Sequence, residues 1–326
     1  MKSIIFSLLR KLSDGEFHSG EALAQALNVS RTSIWNALKT LEGGDIVIHK
    51  VRGRGYQLPE PMQLLDLGII LSALSHQASL FQVEILETVE STNRLLMQRA
   101  AADAPHGSCI AAEIQTQGRG RRGRTWHSGL GGGLTFSVLW RFNQGPGLLS
   151  GLSLAVGVAL IRALREAGVT DATLKWPNDV LHNFRKLAGI LIELQGDALG
   201  PSAAVIGIGL NLKVSDQIKD QVDQAVVDIY SVSGAAPSRS ILLGQILSNL
   251  AEVLLEFEEG GFSAMQEEWS RYHAYHGKQV QLSLPNGIRH SGRVMGVAED
   301  GSLLIETNSG LQRFGVGEIS LRGVAQ

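Results

Sequence analysis

A single cysteine, Cys109, excludes an intrachain disulfide framework and fits a reducing compartment. It falls in the apolar run 108–112, so it reads as core rather than as a reactive thiol. Charge is sparse too: 18% of residues are charged, with a net charge of -2 and a pI near 6.5. That excludes a surface that coats nucleic acid in general, so any such contact must be a local patch. Clean apolar runs of membrane-spanning length are missing, since 148–163 is broken by serine, glycine and arginine. The N-terminal stretch 1–12 has no small-residue cleavage site and reads as a helix rather than a signal peptide. Together these absences point to the cytoplasm, with no membrane partner. Walker A, G-x-x-x-x-G-K-[ST], is absent, and His273 and His276 stand without cysteine or acidic company, which predicts no metal site of the protein's own. What remains is a chain of 326 residues, 44% of them hydrophobic, enough for two or three domains.

The positive charge that exists is concentrated. Gly118-Arg119-Gly120-Arg121-Arg122-Gly123-Arg124-Thr125-Trp126 puts four arginines and three glycines into nine residues. An interior glycine costs a helix about 1 kcal/mol relative to alanine, so a mobile basic loop is expected, ending on an aromatic that can stack on a flat ligand. Gly118, Gly120 and Gly123 spell G-x-G-x-x-G. The dinucleotide fingerprint, however, also needs a helix opening at the third glycine and an acid roughly 20 residues on. Residues 124–129 open no helix, and Leu139, Trp140 and Phe142 supply no acid. Glycine's close backbone approach and arginine's bidentate fork point to an anion. Alone, the loop supports nothing finer, and a solvated basic turn stays open.

Residues 1–60 form a unit of their own. Ile4, Ile5, Leu8, Leu9 and Leu12 have helical spacing, and Gly15 ends that helix. A second helix follows Ser19 and buries Leu23, Ala26 and Leu27. Ser30 caps a third over 31–42, whose apolar face is Ile34, Trp35, Leu38 and Leu41. Two short helices across a tight turn make a helix-turn-helix. A strand over 46–51, the turn Arg52-Gly53-Arg54-Gly55 and a return strand over 56–58 add a wing. Arg31, Thr32, Ser33, Asn36 and Lys39 are the candidate DNA contacts of the third helix, and Lys50, Arg52 and Arg54 those of the wing. A generic three-helix interaction module is the competing reading. Pro59-Glu60-Pro61 is a stiff linker.

Residues 66–273 read as α/β. Strands are expected over 83–89, 108–115, 134–141, 172–175, 186–193 and 203–212, with long helices over 148–167 and 241–257. Ser91, Thr92 and Asn93 sit at a strand-to-helix junction, where a helix cap and a ligand site compete. Gln115 ends the strand that feeds the arginine loop. Residues 276–326 change to short strands split by Asn286-Gly287, Asp300-Gly301 and Asn308-Ser309-Gly310, a small all-β barrel.

A second dense stretch is Lys175-Trp176-Pro177-Asn178-Asp179, with Arg185-Lys186-Leu187-Ala188-Gly189 following. A surface turn explains the amide and carboxylate but not two lysines flanking it, which suggests charge directed at one cleft. With Glu90-Ser91-Thr92-Asn93, the arginine loop and Val205-Ile206-Gly207-Ile208-Gly209-Leu210-Asn211, these motifs closely resemble the biotin protein ligases. The N-terminal head makes the chain similar to the bifunctional kind that also represses the biotin operon, and the resemblance covers essentially the whole chain. It implies a winged helix-turn-helix, a central catalytic domain with a mixed sheet and helices, and a C-terminal SH3-like barrel. It implies a reaction as well: ATP and biotin form biotinyl-5'-AMP, and biotin passes to a lysine of the biotin carboxyl carrier protein of acetyl-CoA carboxylase. The adenylate would act as corepressor, favouring a homodimer on operator DNA.

By the same resemblance Ser91, Thr92, Asn93 and Gln115 would bind biotin. Arg119, Gly120 and Arg121 would close over it, and Lys186 would hold its carboxylate and the phosphate. Lys175, Asn178 and Asp179 would serve the ATP phosphates and Mg²⁺. Trp126 would stack near the adenine, Asn211 would face the site, and Arg322 would reach ATP from the barrel. Residues 127–133 fit the family pattern least. A lipoate-type ligase and a non-catalytic biotin-sensing repressor are the alternatives.

Overall fold

The computed structural model describes residues 2–42, 46–196, 200–283, 288–315 and 320–323, with the backbone alone at 2, 3, 75 and 320–323. The chain divides into two compact units, Met1–Asp66 and Leu67–Gln326.

In the first unit, α1 (Lys2–Leu12), α2 (Gly20–Ala26) and α3 (Arg31–Glu42) bury Leu8, Leu9, Leu12, Leu23, Ile34, Leu38 and Leu41. Ser19 caps α2, accepting from Ala22 N, and Ser30 Oγ accepts from Ser33 N at 3.1 Å to start α3. The wing pairs β1 (His49–Val51) with β2 (Gly55–Gln57). The expected strand over 46–51 is thus shortened to three residues, because its partner β2 ends at Gln57, opposite His49. Gly55, at φ +107, lies where a Cβ would meet the His18 carbonyl at 2.0 Å, which lets the wing bridge back to 18 through Tyr56.

The second unit opens with α4 (Leu67–Leu74), β3 (Gln82–Val89), α5 (Thr92–Ala101), β4 (Ser108–Gln115) and β5 (Gly133–Phe142). Then come α6 (Leu152–Glu166), β6 (Thr173–Lys175), β7 (Asp179–His182), β8 (Arg185–Gly196) and β9 (Ser202–Asn211). The helical stretch holds α7 (Asp216–Asp220), α8 (Ile229–Ser233), α9 (Arg239–Gly260) and α10 (Gln266–Arg271). Seven strands make a mixed sheet in the order β3-β4-β5-β9-β8-β7-β6, with β3 parallel to β4 and the other neighbours antiparallel. The helix expected over 148–167 begins later, at Leu152: a 3-10 turn covers Pro146–Leu149, and Gly151, at φ +84, accommodates Phe262. α6 is buried along most of its length, packed against α9, which also packs against α4. The run Arg239–Arg271 is apolar and long enough to cross a membrane, yet 67% of its most apolar window lies buried within the protein. α5 packs Leu96 and Ala100 against Ile110, Leu139 and Val205.

The C-terminal strands are β10 (Gln279–Ser283), β11 (Arg289–Val297), β12 (Leu303–Thr307), β13 (Gly310–Phe314) and β14 (Ser320–Gly323). They form an antiparallel sheet in the order β13-β12-β11-β10-β14. Trp176 Nε1, fully buried, donates to Gly301 O at 2.9 Å and ties this sheet to the centre. The Asn286-Gly287 turn lies outside the described residues.

Candidate active site

The site grows from one face of the sheet. In register, Leu191 pairs with Gly207 and Gly207 with Ser137; one row along, Gly189 pairs with Gly209 and Gly209 with Thr135. A Cβ on Gly207 would lie 2.0 Å from Asn93 Oδ1, and one on Gly209 2.3 Å from Trp126 Cε2. The glycines therefore leave bare backbone where these two side chains lie down. A Cβ on Gly189 would crowd Lys186 Cε at 3.0 Å and Trp126 Cζ3 at 3.2 Å.

Over the first row runs a polar chain. Thr92 N and Oγ1 donate to Gln115 Oε1 at 2.7 and 3.1 Å. Ser137 Oγ lies 2.7 Å from Thr92 Oγ1 and 2.5 Å from Asn93 Oδ1, its one proton shared between them. Asn93 Nδ2 donates to Leu191 O at 3.2 Å. Ser91 Oγ accepts from Arg94 N at 3.5 Å as the cap of α5, and Ser91, Thr92 and Asn93 are all buried, so cap and site coincide. Gln115 Oε1 is spent on Thr92, which leaves its Nε2 as the donor presented to the cavity, while Asn93 Oδ1 keeps an acceptor lone pair.

This cavity adjoins a larger cleft. Gly120, Arg121, Trp126, Asn178 and Lys186 line both and form the waist between them. Lys186 Nζ lies 2.7 Å from Asp179 Oδ1 and 5.6 Å from the centre of the Trp126 ring. Arg121 Nη1 donates to Asn178 Oδ1 at 3.1 Å, and Asn178 Nδ2 to Ile190 O at 2.8 Å. Ser153 Oγ of α6 donates to Pro177 O at 2.9 Å and holds the β6–β7 turn from below. Burial lowers the Arg121 guanidinium below its ordinary pKa, and Arg122 adds to the effect, against Asp179 acting the other way. Cations crowded like this gain stability from an incoming anion. Lys175, Arg122 and Arg124 line the larger cleft as well.

The arginine loop carries more structure than glycine content suggests. Gly120 N donates to Arg124 O at 2.7 Å, Trp126 N to Gly118 O at 2.9 Å, and Arg121–Gly123 makes one 3-10 turn with Arg122 at φ 58°. Arg119 lines the smaller cavity and pairs with Glu193 at 3.1 Å.

Trp126 belongs to neither lobe alone but forms the wall between them, because Gly189 and Gly209 let its ring settle there. Asn211 borders the larger cleft, but its Nδ2 donates to Lys186 O (3.3 Å) and Val227 O (3.1 Å), so it holds the backbone of Lys186. Arg322 pairs through its backbone with Gln281 in the C-terminal sheet; its side chain, like Glu318 and Ile319, lies outside the described residues. Unforeseen is an apolar wall on the larger cleft, Val214, Ile218, Val222 and Val226. Its four-residue spacing is visible in the sequence. Among the described residues, no group of three or more His, Cys, Asp or Glu could hold a metal ion.

In the first unit, a separate groove runs between α3 and the wing, lined by Arg31, Thr32, Trp35, Lys50, Arg52 and Arg54. Arg54 stacks 4.0 Å from the centre of the Phe17 ring, and Lys50 lies 5.9 Å from that of Tyr56. Asn36 and Lys39 are exposed on α3 beside this groove, whereas Ser33 is half-buried with its hydroxyl 2.9 Å from Ser30 Oγ.

A donor–acceptor pocket joined through a cationic waist to a larger anion cleft is the apparatus of an enzyme that couples a small carboxylate to a nucleotide. Comparison with known proteins agrees. Residues 85–211 match the Biotin/lipoate A/B protein ligase family, 5–57 an HTH domain, and 275–322 the Biotin protein ligase C terminal domain. The bifunctional ligase/repressor BirA of Salmonella typhimurium is 36% identical over 98% of both chains. The biotin--[acetyl-CoA-carboxylase] ligase of Mycobacterium tuberculosis is 31% identical over 69% of this chain and 83% of its own. A biotin protein ligase from Aquifex aeolicus, solved in complex with biotin and ATP, superposes with a TM-score of 0.65 at 31% identity, over 74% of this chain and 99% of that one. The chain belongs to the family of bifunctional biotin ligase/repressors.

Proposed function

We infer that this protein activates biotin with ATP and transfers it to a protein lysine, and that it also represses transcription through its helix-turn-helix head. The observation that carries the enzymatic half is the shared waist: Lys186, Arg121 and Asn178 border the ring-sized pocket and the larger cleft at once. A carboxylate extending from the pocket would meet the α-phosphate there.

The pocket's donor and acceptor suit a cyclic urea, whose carbonyl would take Gln115 Nε2–H and whose N–H would reach Asn93 Oδ1. A dithiolane ring has no use for either and would leave them unpaired, which disfavours lipoate. The biotin carboxylate attacks the α-phosphorus, the P–O bond to the β-phosphate breaks, and pyrophosphate leaves with the bonding pair. Anion approaches anion in this step, so fixed cations lower the barrier. Lys186 and Arg121 neutralise the carboxylate and α-phosphate; Lys175 faces the departing pyrophosphate. Asp179 is a carboxylate beside the phosphate cleft, which fits the sparse protein ligation that Mg²⁺ takes alongside ATP; bound there, Mg²⁺ would offset phosphate charge. The base would lie against Val214, Ile218, Val222 and Val226. In the second half-reaction an acceptor lysine amine attacks the mixed anhydride's carbonyl, forming the amide and releasing AMP. The arginine loop would shelter the anhydride from water.

The acceptor we propose is the biotin carboxyl carrier protein of acetyl-CoA carboxylase, in the cytoplasm. The adenylate-bound form would be a homodimer whose two heads meet a two-fold operator, Arg31 and Thr32 of α3 and the wing cations bordering the DNA groove. Incubation with ATP, Mg²⁺, labelled biotin and a biotin acceptor domain, beside Arg121→Gly, tests the enzymatic half. Wild type is expected to label only the acceptor lysine, and the variant to leak adenylate and label bystander proteins. No acceptor labelling by wild type refutes the ligase reading.

A further inference from the structure

Glu193 stands behind the smaller cavity and is absent from its lining, yet its two carboxylate oxygens reach both sides of the site. Oε2 accepts from Asn93 Nδ2 at 3.0 Å, and Oε1 accepts from Arg119 Nη1 at 3.1 Å. We propose that Glu193 is a positioning residue that ties recognition of the ligand's ring to closure of the arginine loop. This rests on the biotin-ligase reading and adds to it a residue and a coupling.

The amide of Asn93 is only 3% exposed, and its two N–H bonds go to Leu191 O and Glu193. Both acceptors are held on β8, so the amide cannot turn over without losing them, and Oδ1 stays toward Ser137 and the ligand. Removing the Glu193 carboxylate leaves one buried N–H unsatisfied and frees the amide to present nitrogen to a ring N–H, donor against donor. Arg119 is different: its side chain is 44% exposed, and an exposed ion pair by itself contributes little. Its value here is geometric. The guanidinium enters the loop's first turn, one residue before Gly120 and two before Arg121, so anchoring it on β8 fixes where the loop crosses the cavity. Because a single carboxylate makes both contacts, a well-placed Asn93 and a docked loop favour each other.

Glu193→Gln separates the two arms. The glutamine oxygen can still accept from Asn93, while its NH₂ turns toward Arg119 and repels that docking. Glu193→Ala removes both contacts, and Arg119→Ala removes only the loop contact. Steady-state pyrophosphate release gives the biotin KM and kcat, and hydroxylamine trapping measures adenylate escaping from the enzyme. The KM for biotin is expected near wild type in Glu193→Gln and raised on the order of tenfold in Glu193→Ala. Adenylate escape is expected to rise severalfold in all three, and the Glu193→Gln/Arg119→Ala double variant should leak no more than either single one. Thermal unfolding identifies a misfolded variant; should Glu193→Ala fail to fold, the double-variant cycle decides alone. Escape at the wild-type level in Glu193→Gln, an unchanged KM in a folded Glu193→Ala, or additive leakage overturns the proposal. Wild type that neither releases pyrophosphate with biotin nor labels an acceptor refutes the ligase reading instead, before any variant is compared.

Discussion

Single atoms decide whether the two lobes of the cleft exist. Gly209 offers the Trp126 ring a place on the sheet, and a Cβ there would stand 2.3 Å from Cε2. The obstruction is a bulky aromatic ring rather than the far end of a flexible chain, so relief requires the whole ring to move. Gly209→Ala should therefore displace the waist between biotin and nucleotide. Overpacking of this kind costs about 1–3 kcal/mol, here expected as roughly a ten- to hundredfold loss of kcat/KM for pyrophosphate release. Gly147→Ala is the control, since nothing lies within 4 Å of a Cβ at that position. Equal activity of the two variants would show that Trp126 does not partition the site. Cys109 marks the opposite extreme: fully buried, its thiol is pushed up to about 12 by desolvation, so a thiol reagent should leave the folded protein unmodified.

At the scale of elements, the segment that follows α10 carries a pH-sensitive load. His273 bridges to Leu174 of β6, packs 4.5 Å from the Trp269 ring, and is 7% exposed with neither ring nitrogen hydrogen-bonded. Burial, aided by His276, depresses its pKa to about 3 from 6.5. The folded state thus holds His273 neutral while the unfolded chain takes up a proton below about 6.5. Stability is unaffected above that pH and falls as pH drops toward 3. At pH 5 the loss from this one group is roughly 2 kcal/mol. His273→Phe keeps an aromatic against Trp269 and removes the proton, so its melting temperature relative to wild type should be higher at pH 5 than at pH 7.5. A pH-independent difference would exclude His273 as the source. Elements were also what the sequence conveyed best. Helical spacing marked α1 and α3, and apolar runs marked β4, β5 and β9. Two dense motifs, at 118–126 and 175–179, located the waist because charge and glycine in such density have few structural uses. Ser137 and Glu193 stayed hidden because their meaning comes from cross-strand register: Ser137 reads as one more alternating strand residue until Gly207 and Leu191 stand beside it. Asn211 was legible as a residue facing the cleft but its backbone partners were not, because a polar residue ending a strand looks the same whether it bonds a ligand or two carbonyls.

For the whole molecule, the question is how a ligase site can govern a DNA-binding head. Only a state difference can carry such coupling: biotin and ATP must bind better to the form that binds operator, and by reciprocity operator must then favour the adenylate-bound form. One head offers α3 and a short wing, three residues to a strand, with Lys50, Arg52 and Arg54 for phosphate. That is a small footprint, and two heads on a two-fold site would multiply it through a shared assembly. Operator affinity, followed by fluorescence anisotropy against protein concentration, is therefore expected to rise at least tenfold when biotin and ATP are added together, and little with either alone. Arg52→Ala should weaken binding in every ligand state and flatten the salt dependence by about one unit of slope, while biotin transfer to the acceptor stays at the wild-type level. Gly209→Ala should do the reverse at the head: basal operator affinity unchanged, and the ligand-dependent gain lost with the adenylate. Equal operator affinity with and without biotin and ATP, in a wild-type preparation that still labels its acceptor, would mean that the two functions share a chain without sharing a switch.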